Sequence, residues 1–129
     1  MKHSEMVIVI DGPAGSGKST VSKLVAQQLG YHYLDTGALY RAVAYMLIRA
    51  GIREDDQDNF KNILAAAEIY CEKSPSGMLV RINGEDVTAH LRTEEVSLQA
   101  SRISALPVVR AKLLPVQREA GRDGGIVAE

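Results

Sequence analysis

Hydrophobic positions in the first third of the chain alternate between short continuous runs and helical spacing. Residues 6–10 (MVIVI) are continuously apolar, which predicts a strand buried on both faces. From residue 18 the spacing becomes helical until Gly30, and the predicted inner face comprises Val21, Leu24, Val25 and Leu29. Residues 31–34 form a second short apolar run, and a second helix follows it. This order predicts an α/β fold with a parallel sheet.

This second helix and a third one are both predicted to be amphipathic. The second helix ends at Gly51, and its apolar face comprises Leu39, Tyr40, Val43, Met46 and Leu47. Residues 53–59 are acidic and polar, as in a surface connection. They run into a short helix whose apolar face comprises Phe60, Ile63, Leu64 and Ala67.

An antiparallel insert is predicted at about residues 68–87. Ile69 and Cys71 alternate with polar neighbours, residues 74–77 (SPSG) form a strong turn signal, and residues 78–82 suit a partner strand. Asn83-Gly84 is typical of a tight hairpin, because both turn positions need positive φ.

The last part of the chain predicts two helices and a strand. Residues 93–104 form a helix with Val96, Ala100 and Ile103 facing inward. Pro107 suits the first turn of the next helix, whereas Pro115 falls inside that pattern and should kink or divide it. A glycine-rich loop at residues 121–125 then leads into a third apolar strand at residues 126–128.

Composition excludes several classes of function. The chain has 129 residues, of which 46% are hydrophobic and 24% charged, as in a soluble globular protein. Its 15 basic and 16 acidic residues leave a net charge of −1, which argues against a DNA or RNA polymer as partner. Cys71 is the only cysteine, which favours a reducing cytoplasm. The apolar run near the N-terminus is too short for a signal peptide or a membrane span, so we expect no membrane partner.

Residues 12–19 (GPAGSGKS) satisfy the phosphate-loop pattern G-x-x-x-x-G-K-[ST]. Glycines let successive backbone N–H groups point at phosphate oxygens, and the following helix adds its N-terminal dipole. The pattern predicts Lys18 as a catalytic cation at the β- and γ-phosphates and the Ser19 hydroxyl as a ligand of Mg²⁺. A turn that binds nothing is the alternative, but the flanking strand and helix favour ATP with Mg²⁺. The predicted ATP-binding residues are Gly12, Pro13, Ala14, Gly15, Ser16, Gly17, Lys18, Ser19 and Thr20.

Two carboxylates are candidates for the magnesium site. Asp35 and Glu129 follow the second and third predicted strands, whose carboxyl ends share one edge of the sheet. Either could bind Mg²⁺ or order the waters around it, and Asp35 is also predicted as a catalytic residue. The alternative for both is an exposed loop carboxylate.

The segment at residues 35–41 (DTGALYR), together with residues 10–18 (IDGPAGSGK), resembles the bacterial cytidylate kinases. Further matches follow in order at residues 83–87, 91–96, 100–101, 109–110 and 117–118. The resemblance implies a P-loop parallel-sheet core at residues 1–37 and 107–129, which is incomplete here. It also implies a nucleoside-monophosphate-binding region at residues 38–106, which includes the small antiparallel insert.

The function that the resemblance implies is transfer of the γ-phosphoryl group of ATP to CMP or dCMP, giving CDP or dCDP. Thr36 and Ser101 match positions that contact the acceptor nucleotide, and Ser101 lies on the cytosine side. Arg41 and Arg110 match positions that hold its phosphate, a role suited to guanidinium groups. Without the resemblance, these residues would be interpreted as ordinary solvated helix residues. For Arg92, a ligand role and an ion pair within the subdomain both stay open.

The family continues beyond position 129 with a Gly-Arg-Asp segment and an arginine-bearing lid. We therefore expect little or no kinase activity from this chain alone, and exposed sheet edges that lower its stability. The complete protein is expected to be a monomer. Two alternatives remain: a P-loop kinase for a nucleoside or metabolite hydroxyl, and a nucleotide-binding or assembly module. The preference between CMP and dCMP stays open.

Overall fold

The computed structural model of the protein describes residues 7–11, 17–74, 77–122 and 124–128. Six strands, five α-helices and one 3₁₀ helix lie within these residues. In chain order they are β1 Val7–Val9, α1 Lys18–Leu29, β2 His32–Leu34, α2 Thr36–Ala50, α3 Gln57–Ala66, β3 Ile69–Ser74, β4 Gly77–Ile82, β5 Glu85–Asp86, the 3₁₀ helix Thr88–His90, α4 Glu94–Ile103, α5 Pro107–Ala120 and β6 Ile126–Ala128.

The strands form a parallel sheet and a separate antiparallel sheet, which confirms the predicted α/β fold. The parallel sheet has the order β1-β6-β2, so the last strand in the sequence lies between the first two. In its register Ala128 pairs with Val9 on one side and with Leu34 on the other. The three strands therefore end level with one another at one edge of the sheet.

The prediction that the first strand is buried on both faces is wrong. The side chains of Val7 and Val9 are 50% and 70% exposed, and only Ile8 between them is partly buried. In the described part of the chain, β1 lies at the border of the sheet and pairs with β6 alone. A continuous apolar run indicates a strand, but its burial depends on the elements that cover it.

The predicted inner face of α1 is also wrong at three of its four residues, and the fourth, Val25, is partly buried. Val21, Leu24 and Leu29 are exposed, whereas the buried residues of α1 are Ser22 and Ala26. These two small residues lie four positions apart, on one side of the helix, and α1 packs against β6. Their small side chains allow the close approach, and the Ser22 hydroxyl is satisfied by donating to the Lys18 carbonyl at 2.6 Å.

Helix α2 lies at the centre of the main hydrophobic core. Asp35 caps its N-terminus and Gly51, in the left-handed conformation, its C-terminus. The predicted apolar faces of α2, α3 and α4 are confirmed, although Tyr40 and Ile63 are only partly buried. The core also includes side chains from β3, β4 and α5, and its fully buried members with the largest side chains are Leu39, Leu47, Leu64, Ile103, Leu113, Val43, Val80, Val87 and Val109.

The antiparallel sheet β3-β4-β5 falls within the predicted insert. The hairpin prediction is confirmed, because Asn83 and Gly84 have φ angles of 51° and 84° between paired Ile82 and Glu85. Arg49 of α2 forms a bidentate ion pair with Glu85, both N···O distances being 2.9 Å. The insert is thus linked to α2, while the division of the chain into domains stays a prediction.

Helix α5 begins at Pro107, as predicted, and runs without interruption to Ala120. The predicted division at Pro115 is therefore wrong, whereas a kink stays a prediction. Proline removes one backbone N–H from the helix, but Val109 and Leu113 are fully buried in the core and hold the preceding turns in place.

We expect leucine substitutions on α1 and α2 to differ strongly in their effect on stability. Leu47→Ala on α2 removes a fully buried side chain and should lower the free energy of unfolding by about 2–5 kcal/mol. Leu24→Ala on α1 is the matched control and should cost about 0.5 kcal/mol, because Leu24 is 53% exposed. Urea unfolding followed by circular dichroism measures both, and equal losses would contradict the observed orientation of α1.

Candidate functional site

The carboxyl ends of the three parallel strands form the edge at which the sequence analysis predicts a ligand site. The Ile10 N–H donates to the Ala128 carbonyl at 2.8 Å, so β1 and β6 stay paired to their ends. Asp35 follows β2 directly, and Leu34 is in register with Ala128. Ligands of open α/β sheets bind at this edge.

Part of the predicted phosphate loop lies outside the described residues, namely Gly12, Pro13, Ala14, Gly15 and Ser16. Gly17 has a φ angle of 83°, a left-handed conformation that side chains rarely adopt, and it precedes the first turn of α1. That turn contains Lys18, Ser19 and Thr20, of which the first two are partly buried.

The N-terminus of α1 is suited to an anion. Its first turn contains no acidic residue, and Gly17 supplies no side-chain cap. The backbone N–H groups and the dipole of a helix start attract phosphate oxygens, and Lys18 adds a full positive charge in the same turn. The described part of the loop therefore agrees with the phosphate cradle that the sequence predicts.

Asp35 connects three parts of the structure through one carboxylate. Its Oδ1 accepts a hydrogen bond from the Ala38 N–H at 3.3 Å, which caps α2. Its Oδ2 lies 3.7 Å from Arg41 Nη1 and 3.8 Å from Arg92 Nη2. Sequence reasoning did not foresee this two-arginine cluster, because no local pattern places Arg92 near the β2–α2 junction.

The Arg41 guanidinium is partly buried within this cluster. Among the described residues its Nη1 atom has no hydrogen-bond partner, although solvent does not reach it. Gly37 allows the close approach, because a Cβ there would lie 3.1 Å from Asp35 Oδ1 and 3.6 Å from Arg41 Nη1. A buried guanidinium nitrogen that lacks an acceptor costs free energy unless an anion supplies one.

The other predicted acceptor residues lie on the surrounding helices. Thr36 is the first residue of α2 and is partly buried, and Ser101 and Arg110 are exposed on α4 and α5, which both pack on α2. The Ser101 hydroxyl donates to the Ser97 carbonyl at 3.2 Å. No hydrogen bond or ion pair in the described part of the chain joins Ser101 or Arg110 to Arg41, and Glu129 lies outside that part.

A cavity of about 800 Å³ lies elsewhere, between β2, the hairpin β3–β4 and the end of α5. Leu34, Met78 and Val116 supply apolar lining, and none of the predicted site residues lines it. Cys71 also lines it, and burial raises the pKa of this thiol to about 11. A neutral thiol is a poor nucleophile, so Cys71 is a structural residue.

Comparison with known proteins identifies one family. A family model described as cytidylate kinase matches residues 8–129. The chain is 47% identical over 126 residues to the cytidylate kinase of Symbiobacterium thermophilum, a match that covers 97% of this chain and 56% of the relative. It is 46% identical over 127 residues to the cytidylate kinase of Syntrophotalea carbinolica, covering 98% and 54% of the two chains.

A further relative is the bifunctional pantoate ligase/cytidylate kinase of Synechococcus elongatus, at 48% identity over 128 residues. That match covers 95% of this chain and 24% of the relative. The chain thus spans about half the length of the two curated cytidylate kinases that it matches. Within the described residues, none of the helices has the length and apolar character needed to cross a membrane.

We expect iodoacetamide to alkylate Cys71 far more slowly in the folded chain than in the urea-unfolded chain at pH 8, because the thiolate is the reactive form. The folded thiol keeps its proton up to a pKa of about 11, whereas an ordinary thiol releases it near 9. The free energy of unfolding should therefore fall as pH rises through this interval. The variant Cys71→Ala should lose this component of the pH dependence, and equal alkylation rates would contradict the burial.

Proposed function

The chain belongs to the cytidylate kinase family, and from this premise we propose that the complete protein transfers the γ-phosphoryl group of ATP to CMP or dCMP. The products are ADP with CDP or dCDP. The observation that carries this proposal is the buried Nη1 atom of Arg41, which lacks a hydrogen-bond partner among the described residues and belongs to α2, the helix that follows β2. The phosphate of the acceptor nucleotide, bound beside the triphosphate of ATP, is a ligand that would supply this Arg41 nitrogen with an acceptor.

On the donor side, residues 12–20 hold the triphosphate of ATP. Gly17 turns the backbone, and the amides at the start of α1 contact phosphate oxygens. Lys18 neutralises charge on the β- and γ-phosphates, and it keeps its proposed catalytic role because charge moves between these groups during transfer.

A magnesium ion accompanies ATP in this proposal. The Ser19 hydroxyl fits it, because hard cations take oxygen ligands and Ser19 lies in the first turn of α1. When bound, Mg²⁺ neutralises charge on the β- and γ-phosphate oxygens. The carboxylate of Asp35 already contacts a backbone amide and two arginines, which favours a role in holding those arginines over a role as metal ligand. Glu129 stays a candidate for the metal site.

On the acceptor side, Arg41 and Arg110 hold the phosphate of the monophosphate nucleotide. Arg41 projects from the second turn of α2, whose buried face fixes the backbone beneath it. Thr36 lies five residues earlier, at the first position of α2, and contacts the same nucleotide. Ser101 on α4 contacts the cytosine side of the acceptor. A guanidinium is suited to phosphate because it keeps its charge and donates two parallel hydrogen bonds.

The residues promote transfer by positioning the two phosphates. An oxygen of the CMP phosphate forms a bond to the γ-phosphorus while the bond between that phosphorus and the bridging oxygen of ADP breaks. The arginines hold the attacking oxygen and the phosphate loop holds the leaving group, so the two lie in line. Little covalent work is left for the protein.

The proposed partners are small nucleotides and not nucleic acid polymers, since the net charge of −1 offers no general attraction for a polyanion. We place the activity in the cytoplasm and expect the complete protein to act as a monomer.

The test is a coupled ADP assay on the complete protein with CMP, dCMP, UMP, AMP, GMP and shikimate as acceptors. CMP and dCMP should be used best. Arg41→Met should raise KM for CMP by roughly tenfold to a hundredfold and leave KM for ATP unchanged, since a charge-assisted contact contributes about 1.5–3 kcal/mol. Arg53→Met is the matched control, because Arg53 is highly exposed and, within the described residues, its ion pair is with neighbouring Asp55.

Preference for shikimate or another metabolite would instead favour a different P-loop kinase. ATP binding without transfer to any acceptor would favour a binding module. An unchanged KM for CMP in Arg41→Met would remove Arg41 from the acceptor site.

A further inference from the structure

We propose that Arg92 is a third arginine of the acceptor-phosphate site, in addition to Arg41 and Arg110, and that the carboxylate of Asp35 holds it beside Arg41. The inference rests on the proposed function, because it extends the phosphate site assigned to Arg41. It assigns a ligand-binding role to a residue for which the sequence left two roles open.

The geometry brings both guanidinium groups to one oxygen atom. Asp35 Oδ2 lies 3.7 Å from a nitrogen of Arg41 and 3.8 Å from a nitrogen of Arg92. Both distances are longer than a hydrogen bond, so neither of these nitrogens donates a hydrogen bond to Asp35 Oδ2. Two guanidinium groups and one carboxylate also leave the cluster with one positive charge in excess, as a site for an anion requires.

The backbone at Arg92 is fixed although its side chain is 75% exposed. Leu91, immediately before it, is 2% exposed and belongs to the main core. Thr93, immediately after it, caps α4 by accepting a hydrogen bond from the Val96 N–H at 3.2 Å. The backbone at Arg92 is therefore fixed, while its guanidinium is exposed to solvent and accessible to a ligand.

The competing interpretation is an ion pair that only holds the insert against the sheet. Exposed ion pairs contribute little to stability, and this one lacks a hydrogen bond. The described structure already links the insert to α2 by the bidentate Arg49–Glu85 pair and by the packing of β4 on α2. An additional weak pair would add little to this attachment, whereas a phosphate dianion could accept hydrogen bonds from both arginines at once.

The decisive experiment compares the binding of CMP and cytidine to the complete protein by isothermal titration calorimetry. The two ligands differ only in the phosphate, so the ratio of their dissociation constants isolates the phosphate contacts. Arg92→Met should weaken CMP binding about tenfold and leave cytidine binding unchanged, since loss of one charge-assisted contact is a loss of this size. Arg92→Lys should recover part of the loss, because it keeps the charge without the planar fork.

Arg53→Met is again the control and should change neither dissociation constant, because Arg53 is similarly exposed and its ion pair is with Asp55, outside the Asp35 cluster. Unchanged CMP binding in Arg92→Met would overturn the inference. Equal weakening of CMP and cytidine would also overturn it, since Arg92 would then act only by holding the insert.

The same titration separates this inference from the proposed function. The wild-type protein could bind CMP no better than cytidine, or Arg41→Met could leave the ratio of the two dissociation constants unchanged. In either case the assignment of the acceptor-phosphate site is wrong, and so is the role of Arg92. If Arg41→Met lowers the ratio and Arg92→Met does not, the site stands and only the role of Arg92 is rejected.

Discussion

The parallel pairing of β6 with both β1 and β2 is the constraint on which the site depends. Val9, Ala128 and Leu34 lie level in the register, so the three strands end together at one edge. Because the strands are parallel, one edge of the sheet carries the start of α1 and the start of α2. Two helices with different chemistry at their first turns thus follow strands that end at this edge, although more than fifteen residues of chain separate the two helix starts.

The main core keeps the second of these helix beginnings rigid. Leu39, Val43 and Leu47 of α2 are fully buried, and α4 packs along the same helix. Arg41 belongs to α2, and Arg92 directly precedes the cap of α4, so one body of packed side chains fixes the backbone on both sides of Asp35. The position of the arginines is thus a consequence of burial elsewhere.

Local chemistry explains what could be predicted from the sequence. Gly51 and Asn83-Gly84 occur where the backbone needs positive φ, and Thr93 and Pro107 suit helix starts, so these features are confirmed. The fold class follows from the order of such elements, and the family from motifs that match at their own spacing.

Features that depend on distant parts of the chain were not predictable in the same way. Helical periodicity locates an apolar stripe on α1 but not the partner that covers it, and small Ser22 and Ala26 face the sheet instead of Leu24. Likewise, the contact between Asp35 and Arg92 depends on how α4 packs against α2, which no short pattern encodes. The sequence therefore predicted the site as separate residues, and the structure shows that Asp35 contacts both Arg41 and Arg92.

A carboxylate between two arginines has a physical advantage in a site that is alternately empty and filled. Two guanidinium groups close together repel one another, and removing Arg41 from water adds to that cost. Asp35 offsets part of the repulsion at distances that form no hydrogen bond, so it stabilises the pair without occupying its donors. A phosphate carries up to twice the charge of a carboxylate and offers more acceptor oxygens, so it can compete with Asp35 for both arginines. In the free protein the charges of Arg41 and Arg92 are thus partly compensated, and their N–H donors remain available for hydrogen bonds to the ligand.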